Sequence, residues 1–298
     1  MARIRIVHTT EYSYRKPVGL TRHELMVRPD DSHDLRLHEA VLAIDPQPSA
    51  IRWAHDVFDN AICYVDWPEA LRTERLSIVS TLDLTHHPDG APAPNYILSP
   101  VAELFPFSYA FREVPDVARL AERQQSDPAR SVDAWARRFM HGSAQRPTLN
   151  VLEDITHAIK AEFGYQARYA PGTQTAAETI ALGTGTCRDF AVLMMEAVRS
   201  LGLAARFVTG YLYDEACGTT RGGGSTHAWC SVYLPGAGWV EYDPTNGLVA
   251  GANLIRVGLT RTAEQAIPVA GGYVGSADDA IGMYVDVSVT AKSASDDG

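Results

Sequence analysis

The sequence predicts an α+β protein: a β-sandwich of short antiparallel strands at the N-terminus, then helices, then a second antiparallel sheet. Two periodicities and a break between them carry this prediction. Apolar residues alternate with polar ones up to about residue 85, and prolines and turn residues then crowd "HHPDGAPAPNYILSP". Spacings of three and four dominate from there to about residue 201.

Taken in chain order, "RIRIVHTTEYSY", "RLHEAVLAID", "AICYVDW" and "RLSIVSTLDL" alternate as half-buried strands do, with turn signals such as "RPDDSHD", "DPQPS" and "FDNA" between them. "DVARLAER" and "SVDAWARRFM" read as short helices. "TLNVLEDITHAIKAEF" places Val151, Leu152, Ile155, Ile159 and Phe163 on one helical face. After Cys187, the residues Phe190, Ala191, Leu193, Met194, Ala197, Val198 and Leu201 repeat at helical spacing until Gly202 ends the run. Strands return at "AARFVTGYLY", "HAWCSVYL", "WVEYD" and "MYVDVSVTA". This divides the chain into a β-sandwich over 1–100, a helical connecting segment over 101–147, a core over 148–250 and a C-terminal β extension over 251–298, with the final "SASDDG" expected to fray.

A chain of 298 residues, 46% hydrophobic and 21% charged, has the size and balance of a soluble globular enzyme. Its formal charge of -10 and the lack of a Lys/Arg cluster argue against a nucleic-acid partner. No apolar stretch is long enough to span a bilayer and the first residues alternate instead of forming a leader, so no membrane partner and a cytoplasmic location are expected. Cys63, Cys187, Cys217 and Cys230 are too scattered for a disulfide scaffold or a zinc site and are expected as free thiols. Neither a cofactor motif nor a calcium loop of the D-x-D-x-D-G type occurs, so no cofactor and no metal are expected. No pattern fixes an oligomeric state.

"GTGTCRDF" raises the chemical question. Thr186 and Asp189 form a T-x-x-D capping box that puts Cys187 at the first helical position. The box uses the amides deeper in the turn, so the Cys187 N–H is left to donate to an oxyanion. A helix N-terminus also favours a thiolate, and thiols so placed have pKa values of about 3.5 to 7.5. Asp189 opposes that field and Arg188 reinforces it. Against this stands the ordinary fate of a free cysteine, which is burial in a core.

A thiol nucleophile needs a base and a group that orients the base. In "THAWCSVYL", His227, Trp229, Ser231 and Tyr233 share one face of a strand, and Cys230 points the other way into the core. "PGAG" then turns the chain into "WVEYD", where Trp239, Glu241 and Asp243 alternate together. An even register would place His227 and Asp243 on one face; an odd one would separate them. Trp229, beside His227, is a further substrate or oxyanion candidate.

The remaining histidines carry less. His86 and His87 fall in a Pro/Gly stretch read as a solvated loop, His157 lies in a helix with no HExxH partner, and His8, His23, His38 and His55 belong to the β-rich part, where a surface or satisfied polar role is expected. Cys63 alternates as strand core and Cys217 lies in a loop. Gly222 to Gly224 lack the Lys-Ser/Thr of a phosphate loop and suit a flexible lid before His227.

"GTGTCRDFAVLMMEAVRSLGLAARFVTGYLY" followed by "THAWCSVYLPGAGWVEYDPTNG" resembles the core of the transglutaminase-like family of cysteine enzymes, with its G-x-C-x-D-x-A, H-A-W and D-P-T segments in order. The β-rich third resembles the domain that precedes this core in bacterial members. The resemblance implies a papain-like cysteine-proteinase core, a helix packed on an antiparallel sheet, with Cys187 as nucleophile, His227 as base and Asp243 as orienting carboxylate. Tyr165 in "FGYQARY" is an oxyanion candidate by the same likeness, with a packing role as its alternative. It implies a peptide or protein amide substrate, either hydrolysed or cross-linked to an amine, with hydrolysis favoured because water is always available. The alternative is a catalytically silent binding or scaffolding protein, against which stands the joint presence of Cys187, His227 and Asp243.

Overall fold

The computed structural model describes residues 2–87, 96–140, 145–168, 172–213, 226–249 and 253–291. Two bodies of antiparallel sheet meet across one hydrophobic core. The first is a sandwich. One of its sheets runs Tyr273–Val274, Ala2–Leu20, Thr73–His86, Leu35–Asp45, with Ala280–Ala291 also paired to Ala2–Leu20. Its partner sheet runs Val269–Ala270, His23–Leu25, Ala61–Asp66, Ala50–His55. Leu25, Val27, Cys63, Val65, Trp67, Leu76 and Ile78 fill the space between the two. The alternating stretches of the sequence therefore become strands, and His23–Leu25 and Ala50–His55 are strands that alternation had not marked.

The second body is a five-stranded antiparallel sheet, in the order Leu248–Val249, Gly238–Asp243, His227–Leu234, Ala205–Leu212, Leu254–Thr260, against which the helix Cys187–Ser200 packs. That helix is buried on nearly every side, from Phe190 through Val198, because the sheet covers one face while the helices Ser131–Arg137, Thr148–Glu162 and Ala176–Leu182 cover the others. Gly202, at φ +87°, ends it in the left-handed conformation that favours glycine. The fold class is the expected α+β, a helix on an antiparallel sheet beside a β-sandwich. No helix among the described residues is long and apolar enough to cross a membrane.

The C-terminal segment is divided between the bodies. Leu254–Thr260 completes the helix-backed sheet, whereas Val269–Ala270, Tyr273–Val274 and Ala280–Ala291 return to the sandwich. The sandwich also reaches across directly: Ile4, Ile6, Leu82, Leu84 and Val287 pack into the same core as Phe190, Phe207 and Tyr211. Asn60 adds a two-way clamp, donating to the Leu259 carbonyl and accepting from the Leu259 amide, both at 2.8 Å.

One histidine differs from expectation. His86 is not in a solvated loop; it ends a strand that pairs with Ala2 on one side and Leu35 on the other, and is buried there. The strand outruns its alternating stretch because both neighbours extend to the same level. The loop thiol Cys217, the suggested lid at Gly222 to Gly224 and the final "SASDDG" lie outside the described residues.

Candidate active site

The Cys187 helix begins as its capping box dictates. The Thr186 hydroxyl accepts from the Asp189 amide at 3.4 Å, and the Asp189 carboxylate accepts from the Thr186 amide at 2.8 Å and the Thr186 hydroxyl at 2.9 Å. The Cys187 amide takes no part in these bonds. Gly185 is needed immediately before: a Cβ there would lie 2.9 Å from the Asp189 Cβ, too close for any other residue to hold the same turn.

The hairpin register is even. Cys230 pairs with Tyr242 and Ser231 with Glu241, which places His227 and Asp243 on one face, diagonal to each other. His227 Nε2 stands 2.9 Å from Asp243 Oδ2, with both side chains fully buried. Asp243 is held in turn by the segment that follows it. Its Oδ1 accepts from the Thr245 amide at 2.9 Å and the Asn246 amide at 3.3 Å, and its Oδ2 accepts from Asn246 Nδ2 at 2.8 Å. A buried carboxylate without partners would neutralise itself. Here burial pushes its pKa up, but His227 and the Asn246 donors outweigh that and hold it below the ordinary carboxylate value. Lys160, from the neighbouring helix, donates to the Asn246 carbonyl at 2.7 Å and pins the loop from outside.

Burial alone would pull His227 down, but the Asp243 charge, its hydrogen bond and the Cys187 thiol together lift the imidazole to about 10. Nε2 belongs to Asp243. Nδ1 makes no hydrogen bond of ordinary geometry, and the Cys187 thiol close by adds to the ring's basicity. Trp229 stacks on His227 with ring centroids 5.9 Å apart and an interplanar angle of 28°. It is fully buried, with its ring against the His227 imidazole. Room for its ring comes from Gly210, where a Cβ would lie 2.8 Å from the indole and 2.1 Å from the Ile255 carbonyl oxygen.

Tyr165 is half-buried beside the thiol. Burial raises its hydroxyl pKa first and the nearby Cys187 charge raises it further, and its ring meets Phe190 edge-on at 6.5 Å. Cys187, 8% exposed, is buried as a core cysteine would be, yet it faces an imidazole. Cys63 and Cys230 have no imidazole beside them, and burial pushes their thiols up to about 11 and about 12, the latter against the opposing charge of Arg199. The five candidates Cys187, His227, Asp243, Tyr165 and Trp229 thus gather in one place. Asn246 and Lys160 escaped the sequence reading. Asn246 had a legible signal in its position three residues beyond Asp243, whereas Lys160 had none, because only the packing of its helix brings it to the loop.

Two family models account for most of this architecture. The transglutaminase-like superfamily matches residues 133–244, and the bacterial transglutaminase-like N-terminal region matches residues 4–85. The chain belongs to the transglutaminase-like superfamily. An uncharacterized protein of Mycobacterium tuberculosis is 30% identical to it over 295 residues, covering 96% of this chain and 92% of the relative. A shorter match to a Mycobacterium leprae protein is 33% identical over 127 residues, 40% of this chain and 44% of the relative. Among solved structures, a candidate cysteine protease from Cytophaga hutchinsonii superposes with a TM-score of 0.69 at 18% identity, covering 97% of this chain and 91% of the other. That likeness extends the shared fold of this transglutaminase-like protein across both of its bodies.

Proposed function

We propose that this thiol-dependent enzyme performs acyl transfer at an amide bond, with water as the favoured acceptor. The observation that supports the reading is His227, bonded to Asp243 through Nε2, with Nδ1 unpartnered and the Cys187 thiol close enough to raise the ring's basicity. An imidazole whose pKa is lifted to about 10 is protonated at neutral pH, a state that supports a thiolate at Cys187.

In this reading the Cys187 thiolate attacks the amide carbonyl, and the Cys187 N–H with the Tyr165 hydroxyl receives the developing oxyanion. His227 then gives the proton on Nδ1 to the leaving nitrogen, which departs as an amine or ammonia and leaves a thioester. Water loses a proton to the same Nδ1 as it attacks, and the acid leaves with the thiolate and imidazolium pair restored. Asp243 keeps the proton on Nε2 throughout and balances the imidazolium charge. The substrate is a peptide or protein amide.

Mass spectrometry of products from a glutamine-containing peptide pool, with and without a primary amine, tests this. Chain cleavage or loss of ammonia that disappears in Cys187→Ala is the expected result. Amine incorporation in place of either would convert the reading to a cross-linking transferase. No product in any channel would remove it.

A further inference from the structure

Asp189 sets a problem for the nucleophile two residues before it. It lies in the first turn of the Cys187 helix, where its negative charge opposes the field that favours a thiolate. The helix cannot dispense with it, because the same carboxylate closes the capping box. It is also completely buried, so water does not screen it.

Arg168 answers this charge. Its Nη2 donates to Asp189 Oδ1 at 3.0 Å, and the Gln174 amide donates to the same oxygen at 2.7 Å. Nη2 also donates to the Gly172 carbonyl at 2.9 Å, so one guanidinium ties the segment after Tyr165 to the helix start. The Asp189 carboxylate thereby has two acceptor bonds on each oxygen and a full countercharge. Arg188, adjacent to the thiol, keeps its charge on the other side, donating to the Ala263 and Ala266 carbonyls and lying over the Phe207 ring.

We infer that Arg168 is a positioning residue for the thiol: by cancelling the Asp189 charge it leaves the helix N-terminus, Arg188 and His227 as the net field at Cys187. The inference rests on the reading of Cys187 as the nucleophile. The charged and titratable groups around the thiol among the described residues are His227 with Asp243 behind it, Tyr165, Arg188 with Glu264 beyond, and Asp189 with Arg168 and Glu178 beyond. Changing Arg168 or Asp189 alters that field without replacing the base, its carboxylate or the oxyanion donors.

A charge role and a merely structural clasp predict different signs. The test is the pH midpoint of Cys187 alkylation by iodoacetamide, followed by mass spectrometry of its peptide in folded protein, with folding checked by circular dichroism. Arg168→Gln should raise the midpoint by about 0.5 to 1 unit, and Asp189→Asn should lower it by a similar amount. Arg168→Lys should restore a midpoint near the wild-type value. A clasp without electrostatic function would move both variants the same way, or neither, and that result overturns the inference while leaving the Cys187-dependent turnover of the proposed function intact. Should Arg168→Gln not fold, Arg168→Met keeps the stem and carries the same expectation. Amide turnover that survives Cys187→Ala would instead overturn the nucleophile reading and this inference with it.

Discussion

His8 and His227 are buried to nearly the same degree, 3% and 1% exposed, and their basicities move in opposite directions. His8 sits where the sandwich meets the helix-backed sheet. Its Nδ1 is 3.1 Å from the Tyr211 hydroxyl and its Nε2 is 3.3 Å from the Thr10 hydroxyl. Both partners are neutral, so burial acts unopposed and pulls its pKa down to about 4. His227 faces the same burial but also a carboxylate and a thiol, and rises to about 10. Burial therefore does not distinguish a reactive histidine from a structural one. The nature of the partner does, and only His227 has a partner that is itself anchored by a built loop.

The largest expected effect comes from removing each histidine in turn. His227→Gln should abolish thiol-dependent amide turnover by roughly a thousandfold or more, as loss of a base in such a unit does. His8→Gln should leave turnover within about twofold, because its ring touches neither thiol nor base. Steady-state assays on the two variants, with circular dichroism to confirm folding, decide this. Equal losses in both would erase the functional contrast between them.

Asp243→Asn probes the cause of the contrast with a smaller loss. The amide keeps the shape of the carboxylate but not its charge, so turnover should fall on the order of a hundredfold to ten-thousandfold. The imidazole should then follow its burial downward, toward the behaviour of His8. An NMR titration of the His227 ring is the direct measurement, and a ring that stays protonated to about 10 in the variant would show that the carboxylate is not what lifts it.

Much of this contrast could be read before any coordinates existed, and the part that could not has a physical reason. The helix start at Cys187, the shared strand face of His227 and Trp229 and the core direction of Cys230 are local consequences of period and capping, and they are legible in twenty-odd residues of sequence. The register of the hairpin was open, since a glycine-containing loop permits two alignments that differ by one residue. A satisfied polar role for His8 is legible in its strand, while its burial depends on which sheet covers it, decided by Tyr211 some two hundred residues away. The same holds for Leu254–Thr260, a short apolar strand without clear alternation that only the sheet itself identifies, and for Lys160, whose helix pattern says nothing of the loop it pins.

The smallest effect concerns stability, and the two histidines should govern separate pH windows. The folded pKa of His8 lies below the ordinary value of 6.5, so as pH falls from 6.5 to about 4 the unfolded chain takes up a proton that the folded one refuses. Stability is lost across that interval, by an amount on the order of 3 kcal/mol once the interval is crossed. His227 behaves in the opposite sense: its folded pKa is raised, so its contribution is complete below 6.5 and fades as pH rises toward about 10. Thermal melts across pH should thus show His8→Gln with a flattened acid limb and an unchanged alkaline limb. Asp243→Asn should flatten the alkaline limb and steepen the acid limb below 6.5, because the buried His227 ring, no longer lifted by the carboxylate, then refuses a proton as His8 does. His23, also lowered by burial, leaves a residual acid slope in His8→Gln. An acid limb unaltered by His8→Gln would mean that the ring takes up its proton as readily in the folded protein as in the unfolded chain, with the Tyr211 and Thr10 hydroxyls accepting from the cation.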